Sequence, residues 1–175
     1  SGNSIEEIDA AGGHIEGTYQ NQSLDFSQTR LTDVDEIRGG GGRDTITGSA
    51  GDDVIHGDSG NDRLDGGAGD DLLSGGSGND AAFGGEGNDT YLFDPFDGVD
   101  TFDGGSGGWT DAVQLDADAD PAADPDNPWT IEINGEVVEY DLAAHALELD
   151  PDTSGVITLD DGSQLVFDGV ERIEW

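Results

Sequence analysis

Residues 39–92 fall, without insertion, into six consecutive nine-residue units: GGGGRDTIT, GSAGDDVIH, GDSGNDRLD, GGAGDDLLS, GGSGNDAAF and GGEGNDTYL. Positions 1 and 4 are Gly in all six, and position 6 is Asp in all six: Asp44, Asp53, Asp62, Asp71, Asp80 and Asp89. Position 8 is Ile46, Ile55, Leu64, Leu73, Ala82 and Tyr91, so only Ala82 is undersized. Gly, Asp and Asn in such numbers suit a disordered linker, but disorder gives no reason to hold one phase through every unit of the series. The phase predicts a stacked repeat instead.

Within one unit, positions 1 to 6 predict a turn, because Gly tolerates positive φ and lets backbone approach backbone. Positions 7 to 9 predict a strand of about three residues, whose pleat sends position 8 to one face and positions 7 and 9 to the other. The template G-G-x-G-x-D-x-U-x, with U bulky and apolar, resembles the RTX (repeats-in-toxin) nonapeptide family. The resemblance implies an all-β fold, a right-handed parallel β-roll in which two nonapeptides make one coil. Six units then give about three coils, stacked about 4.8 Å apart. The position-8 side chains are nearly all of its core. They cannot offset the backbone entropy of a stretch so long and so rich in Gly, so another source of stability is required.

Coils of two units would line Asp44, Asp62 and Asp80 along one edge and Asp53, Asp71 and Asp89 along the other. Unscreened, these columns repel; with a divalent cation between adjacent turns they become ligands. Calcium takes about six to eight oxygens from carboxylates and backbone carbonyls. Position 6 offers the carboxylate. The turns offer the carbonyls of Gly40, Gly42, Gly51, Gly60, Gly67, Gly69, Gly76, Gly78, Gly85 and Gly87. Magnesium demands tighter octahedral geometry and keeps its waters. Zinc would want His or Cys, and neither recurs at the turns. Several Ca2+ ions are therefore the expected cofactor. The resemblance implies that each lies between the turn of one repeat and the turn two repeats later.

The whole composition narrows the function. The 175 residues carry 41 Asp plus Glu against five Arg and no Lys, a formal net charge of −36. Such a chain does not bind nucleic acid through phosphates, and its self-repulsion opposes compactness unless counter-ions bind. There is no Cys, hence no disulfide or thiolate site. No apolar run is long enough to span a membrane. No basic, then apolar, leader opens the chain, and without an initiator Met it reads as a piece excised from a longer protein. The three histidines, His14, His56 and His145, lie far apart in sequence and in unlike contexts. No G-x-S-x-G elbow or HExxH occurs, and the acidic Gly turns lack the Lys of a phosphate loop. Four Asp-Pro bonds read as loop punctuation. The chain is expected to be non-enzymatic and monomeric.

The flanks supply caps, since an open solenoid end exposes core and unpaired strand edges. Residues 1–38, out of phase with the repeat, are expected to form an N-terminal capping segment. After Leu92 the phase slips by two positions. Pro95 to Asp103 and Gly104 to Val113 then read as degenerate units, extending the roll to Leu115 with Asp100 and Asp111 as weaker ligand candidates. The roll thus spans 39–115, regular over 39–92 and degenerate over 95–115. Residues 116–128 form a polar loop. Trp129–Ile133 and Glu136–Tyr140 around Asn134-Gly135 predict a hairpin with a type I′ turn, and Val156–Leu159 with Gln164–Phe167 predict a second. Between them, 142–149 reads equally as helix or strand. Residues 116–175 are therefore expected to be a C-terminal β cap.

This C-terminal half resembles the ends of large secreted alphaproteobacterial repeat proteins. The residues that carry it are Gly108-Trp109-Thr110-Asp111, the Trp129 strand, Ile157 to Ser163, and Phe167 to Trp175. It implies a secretion signal within 116–175, the type I secretion machinery as partner of the full-length protein, and an extracellular or cell-surface location. It also implies a calcium-binding module that folds on calcium binding after export, at the C-terminal end of an adhesin or other exoprotein. A different class stays open: a substrate- or glycan-binding module of a secreted protease, lipase or alginate epimerase. Its aromatic platform would draw on Trp109, Trp129 and Trp175.

Overall fold

The computed structural model describes residues 7–115, 129–140 and 144–175. The expected polar loop 116–128 and residues 141–143 lie outside them. The strands in chain order are β1 (Glu7–Thr18), β2 (Ser23–Asp25), β3 (Arg30–Gly42), β4 (Thr45–Thr47), β5 (Val54–His56) and β6 (Ser59–Gly60). There follow β7 (Arg63–Ala68), β8 (Leu72–Ser74), β9 (Ser77–Gly78), β10 (Ala81–Glu86), β11 (Thr90–Phe93), β12 (Val99–Asp103) and β13 (Ala112–Leu115). The last four are β14 (Thr130–Ile133), β15 (Glu136–Val137), β16 (Ala146–Thr158) and β17 (Gln164–Glu174). Among the described residues no helix is long and apolar enough to cross a membrane.

The repeat strands start at position 7 of each unit, as the pleat argument requires, and pair in parallel with the strand two units away. Ile46 stands opposite Leu64, and Leu64 opposite Ala82; on the other side Ile55 stands opposite Leu73, and Leu73 opposite Tyr91. The fold is therefore an all-β parallel solenoid with two nonapeptides per coil, consistent with a β-roll. Position 8 points inward in every unit and is buried, while positions 7 and 9 are mostly half-buried on the outer face. Beyond the undersized Ala82, the rings of Tyr91 and Phe102 stack with centroids 5.3 Å apart.

The ladders run past the regular repeats in both directions. At the start, Leu24 pairs opposite Ile46 and Ile15 opposite Ile37. Residues 1–38 were expected to be out of phase, yet Gly17-Thr-Tyr-Gln-Asn-Gln-Ser-Leu-Asp25 occupies one nonapeptide's place, with Leu24 at position 8. Leu24 lies 22 residues before Ile46 rather than one 18-residue coil, so the segment is out of phase in sequence, and strand pairing alone brings in a unit that keeps only the first Gly and the apolar residue. At the other end β12 and β13 continue the stack through Phe102 and Val113. Position 2 of that unit is Phe96, with φ 71°, and position 4 is Gly98, with φ 109°, the same left-handed pattern as Gly76 and Gly78.

The last level is one strand. β17 pairs in parallel with β12 along its first half and with β13 along its second. Its other edge meets β16 antiparallel, which in turn meets β14. Both hairpins form: β14 pairs with β15 through Asn134 and Gly135, both at positive φ, as a type I′ turn requires. Of the undecided segment, residues 146–149 open β16 as strand. Trp129, Tyr140 and Trp175 pack together in this cap, Trp129 stacked on Tyr140 at 4.6 Å and edge-on to Trp175 at 5.4 Å.

Candidate metal centre

Each position-6 Asp follows a Gly-rich turn and precedes a strand, so the strand register stacks these residues too. The structure brings Asp44, Asp62, Asp80 and Asp100 into one column and Asp53, Asp71, Asp89 and Asp111 into the other. None of the eight is more than 7 % exposed. The link is a hydrogen bond repeated at every step: the backbone N–H of one Asp donates to Oδ1 of the Asp one coil later. Asp44 donates to Asp62 at 2.7 Å, Asp62 to Asp80 at 2.6 Å and Asp80 to Asp100 at 2.9 Å. In the second column Asp53 donates to Asp71 at 2.8 Å, Asp71 to Asp89 at 2.9 Å and Asp89 to Asp111 at 2.8 Å. Asp100 and Asp111 thus hold the same positions as the regular six.

Oδ1 of every Asp after the first in each column is thereby satisfied, and the other oxygen defines the site. Oδ2 of Asp44, Asp62, Asp71, Asp80 and Asp89 is buried and accepts no hydrogen bond. An orphaned carboxylate oxygen away from water costs more than the roughly 1–3 kcal/mol of an unpaired neutral group. A main-chain oxygen accompanies each of four. A Cβ on Gly39 would stand 2.8 Å from both Asp44 Oδ2 and the Gly57 carbonyl oxygen, and one on Gly57 would stand 2.6 Å from both Asp62 Oδ2 and the Gly75 oxygen. Gly66 faces Asp71 and the Gly84 carbonyl in the same way, as does Gly84 with Asp89 and the Gly104 carbonyl. Position 1 is Gly because these two oxygens already crowd the space a side chain would take.

Two members of the columns depart from uniformity. Asp53 Oδ2 accepts from Ser49 N–H at 2.6 Å, and Asp100 Oδ2 accepts from the Tyr91 hydroxyl at 2.8 Å. Burial is the main cause of a general rise in pKa, and neighbouring carboxylates add to it at most positions. Asp62 and Asp89 are pushed up to about 6, and Asp71, Asp100 and Asp111 to about 7. Asp44, Asp53 and Asp80 are raised as well. Asp97, at position 3 beside Asp100, is also buried and raised to about 7.

Calcium fits these residues. It takes hard oxygen ligands from carboxylates and carbonyls together, and the structure pairs an orphaned Oδ2 with a carbonyl oxygen level after level. Among the described residues no three His, Cys, Asp or Glu side chains converge to hold a metal unaided, so main-chain oxygens are integral to any such site. Position-1 carbonyls crowd the same spot as Oδ2 at Gly39, Gly57, Gly66 and Gly84, and the sequence did not single them out. The sequence also missed both column ends. Gln22 N–H donates to Asp44 Oδ1 at 2.7 Å and Asp111 N–H donates to Glu171 Oε2 at 2.8 Å, so Gln22 and Glu171 stand where Asp residues would.

The other sequence candidates lie elsewhere. His14 and His56 are closer than their sequence separation suggests: Glu16, Arg38 and His56 lie side by side across β1, β3 and β5. His14 and His56 each approach a glutamate, Glu16 at 3.4 Å and Glu36 at 3.6 Å. Trp109 stands on an exposed turn while Trp129 and Trp175 pack inside the cap, so the three make no common platform.

The model of the family described as the RTX calcium-binding nonapeptide repeat matches residues 32–64 and 56–91 in four-copy form. No curated protein matches the chain. The family match covers the first three Asp residues of each column and the five orphaned oxygens. Residues 32–91 are RTX calcium-binding nonapeptide repeats folded as a parallel β-solenoid.

Proposed function

We propose that the chain is a calcium-triggered folding module of an exported protein, without catalytic activity of its own. The observation that carries this is the row of buried, unpartnered Oδ2 atoms in repeats of a calcium-binding family. Bound calcium supplies the positive charge and the oxygen-coordinating centre that these carboxylates lack. The carboxylates Asp44, Asp53, Asp62, Asp71, Asp80, Asp89, Asp100 and Asp111 hold the ions, with main-chain oxygens of the Gly turns completing each site. Where the metal is scarce the chain stays open, because −36 formal charges and a thin core disfavour collapse. Where it is abundant, binding free energy becomes folding free energy.

That behaviour suits export through a type I channel, in which an unfolded chain leaves the cell and folds outside. Residues 116–175 serve both as cap and as export address, and the parent is an adhesin or another exoprotein. Limited proteolysis tests the folding half: residues 39–115 should resist cleavage in calcium and be digested in chelator, and equal digestion in both contradicts it. Export tests the rest. Deleting 116–175 from the parent should stop its secretion, and undiminished secretion places the address elsewhere.

A further inference from the structure

The two Asp columns end differently, and the difference lies outside the nonapeptides. In β17, Leu165 stands in register opposite Asp100, an apolar side chain where the next carboxylate of that column would be. The Tyr91 hydroxyl meanwhile occupies Asp100 Oδ2. The first column therefore has no further carboxylate to follow Asp100. The second column meets β17 again where Ala112 pairs with Arg172, which puts Glu171 beside Asp111. Glu171 takes the part of an Asp one coil on: its Oε2 accepts Asp111 N–H at 2.8 Å, just as Asp111 Oδ1 accepts Asp89 N–H at 2.8 Å.

The rest of a repeat site is present as well. Asp111 is 3 % exposed, and among the described residues no hydrogen bond reaches its Oδ2. That oxygen and the Gly169 carbonyl oxygen flank Gly104, the arrangement found at Gly39, Gly57, Gly66 and Gly84. The turn itself is shortened. Asp103 pairs with Asp168 and Ala112 with Arg172, so only Gly169, Val170 and Glu171 face the whole loop from Gly104 to Asp111. The missing turn leaves a cavity of about 400 Å³ lined by Asp103, Gly105, Ser106, Asp152, Asp168 and Gly169. Glu171 is held at its edge, Oε1 accepting Asp152 N–H at 2.8 Å.

We infer that Asp111 and Glu171, with the main-chain oxygen of Gly169, form a further calcium site that fastens the C-terminal strand to the roll. The inference rests on the calcium-binding reading of the repeats. The shortened turn opens this site to water from the acidic cavity, and calcium accepts water among its oxygens. The site therefore exchanges its ion with solvent more readily than the closed repeat sites do. Glu171 has no counterpart at the end of the first column, so the second column carries the extra ion.

A crystal of the calcium-loaded full chain decides it through its anomalous difference map. The expected result is a peak between the Asp111 and Glu171 carboxylates in addition to peaks along the columns. Peaks along the columns with none at Glu171 overturn the inference and leave the calcium reading intact; no peak anywhere overturns both. In solution, Glu171→Gln keeps the side chain's length and removes its charge. Native mass spectrometry in calcium should then count one ion fewer than in the unmodified chain, and an unchanged count counts against the site. Should that variant not fold, the map of the unmodified chain still decides.

Discussion

At the scale of single residues, the repeat is a set of places where only one side chain fits. Gly78 has φ 147°, and a Cβ there would overlap the Gly60 carbonyl oxygen one coil away. Gly60 stands in the same relation to Gly42, so position 4 is where backbone stacks directly on backbone. Gly78→Ala is expected to cost about 3 kcal/mol or more, because neither contact partner is a flexible side chain. Calcium-loaded thermal unfolding measures it, and a loss within the range of an ordinary surface substitution contradicts the stacking. Phe96 is the opposite case. It holds φ 71° at a position 2, is 81 % exposed, and gains little packing in return. Phe96→Gly is expected to stabilise the roll by about 1 kcal/mol. A lower melting temperature would show that the ring has a partner that offsets its strain.

At the scale of the element, the unit is the turn with its Asp, repeated along a column. Asp62 lies between Asp44 and Asp80, and Asp71 between Asp53 and Asp89, so each faces a carboxylate on both sides. Asp44 faces Asp62 on one side and the neutral Gln22 on the other. Asp62→Ala and Asp71→Ala should therefore raise the calcium midpoint of folding more than Asp44→Ala does. Equal shifts for the three would mean that ions bind within single turns. These columns were legible in the sequence because Asp, Gly and the apolar residue recur at fixed spacing, and spacing fixes register once strands pair. Gln22 and Glu171 were not legible. Gln22 lacks the acid that marks a repeat, and Glu171 follows a turn cut down to Gly169 and Val170, so neither keeps the period. Only strand pairing between distant parts of the chain brings them to the columns. The position-1 carbonyls escaped for another reason: composition shows that a Gly turn has free oxygens but not which ones face inward.

At the scale of the whole molecule, the same buried carboxylates make folding depend on pH as well as on metal. All eight column Asp residues are raised on folding. A group raised in this way adds stability that is complete below its ordinary value, 3.8, and lost as the pH rises through its folded value, about 6 for Asp62 and Asp89 and about 7 for Asp71, Asp100 and Asp111. Asp25, Glu36, Asp70 and Asp161 shift downward, but they lie where solvent screens their effect. The calcium-free chain should therefore show more β structure by circular dichroism at about pH 4 than at about pH 8. Calcium should restore the structure at the higher pH and compete with protons at the lower. A calcium-free spectrum richer in β structure at high pH would mean that the columns are not buried as described. The central claim is that metal, rather than core, holds the roll together, and the most direct test of it is a calcium titration of the full chain at neutral pH followed by circular dichroism. The expected result is a largely disordered spectrum in chelator, a cooperative rise in β signal with calcium, and a much weaker response to magnesium at the same concentration. A full β spectrum in chelator would contradict it.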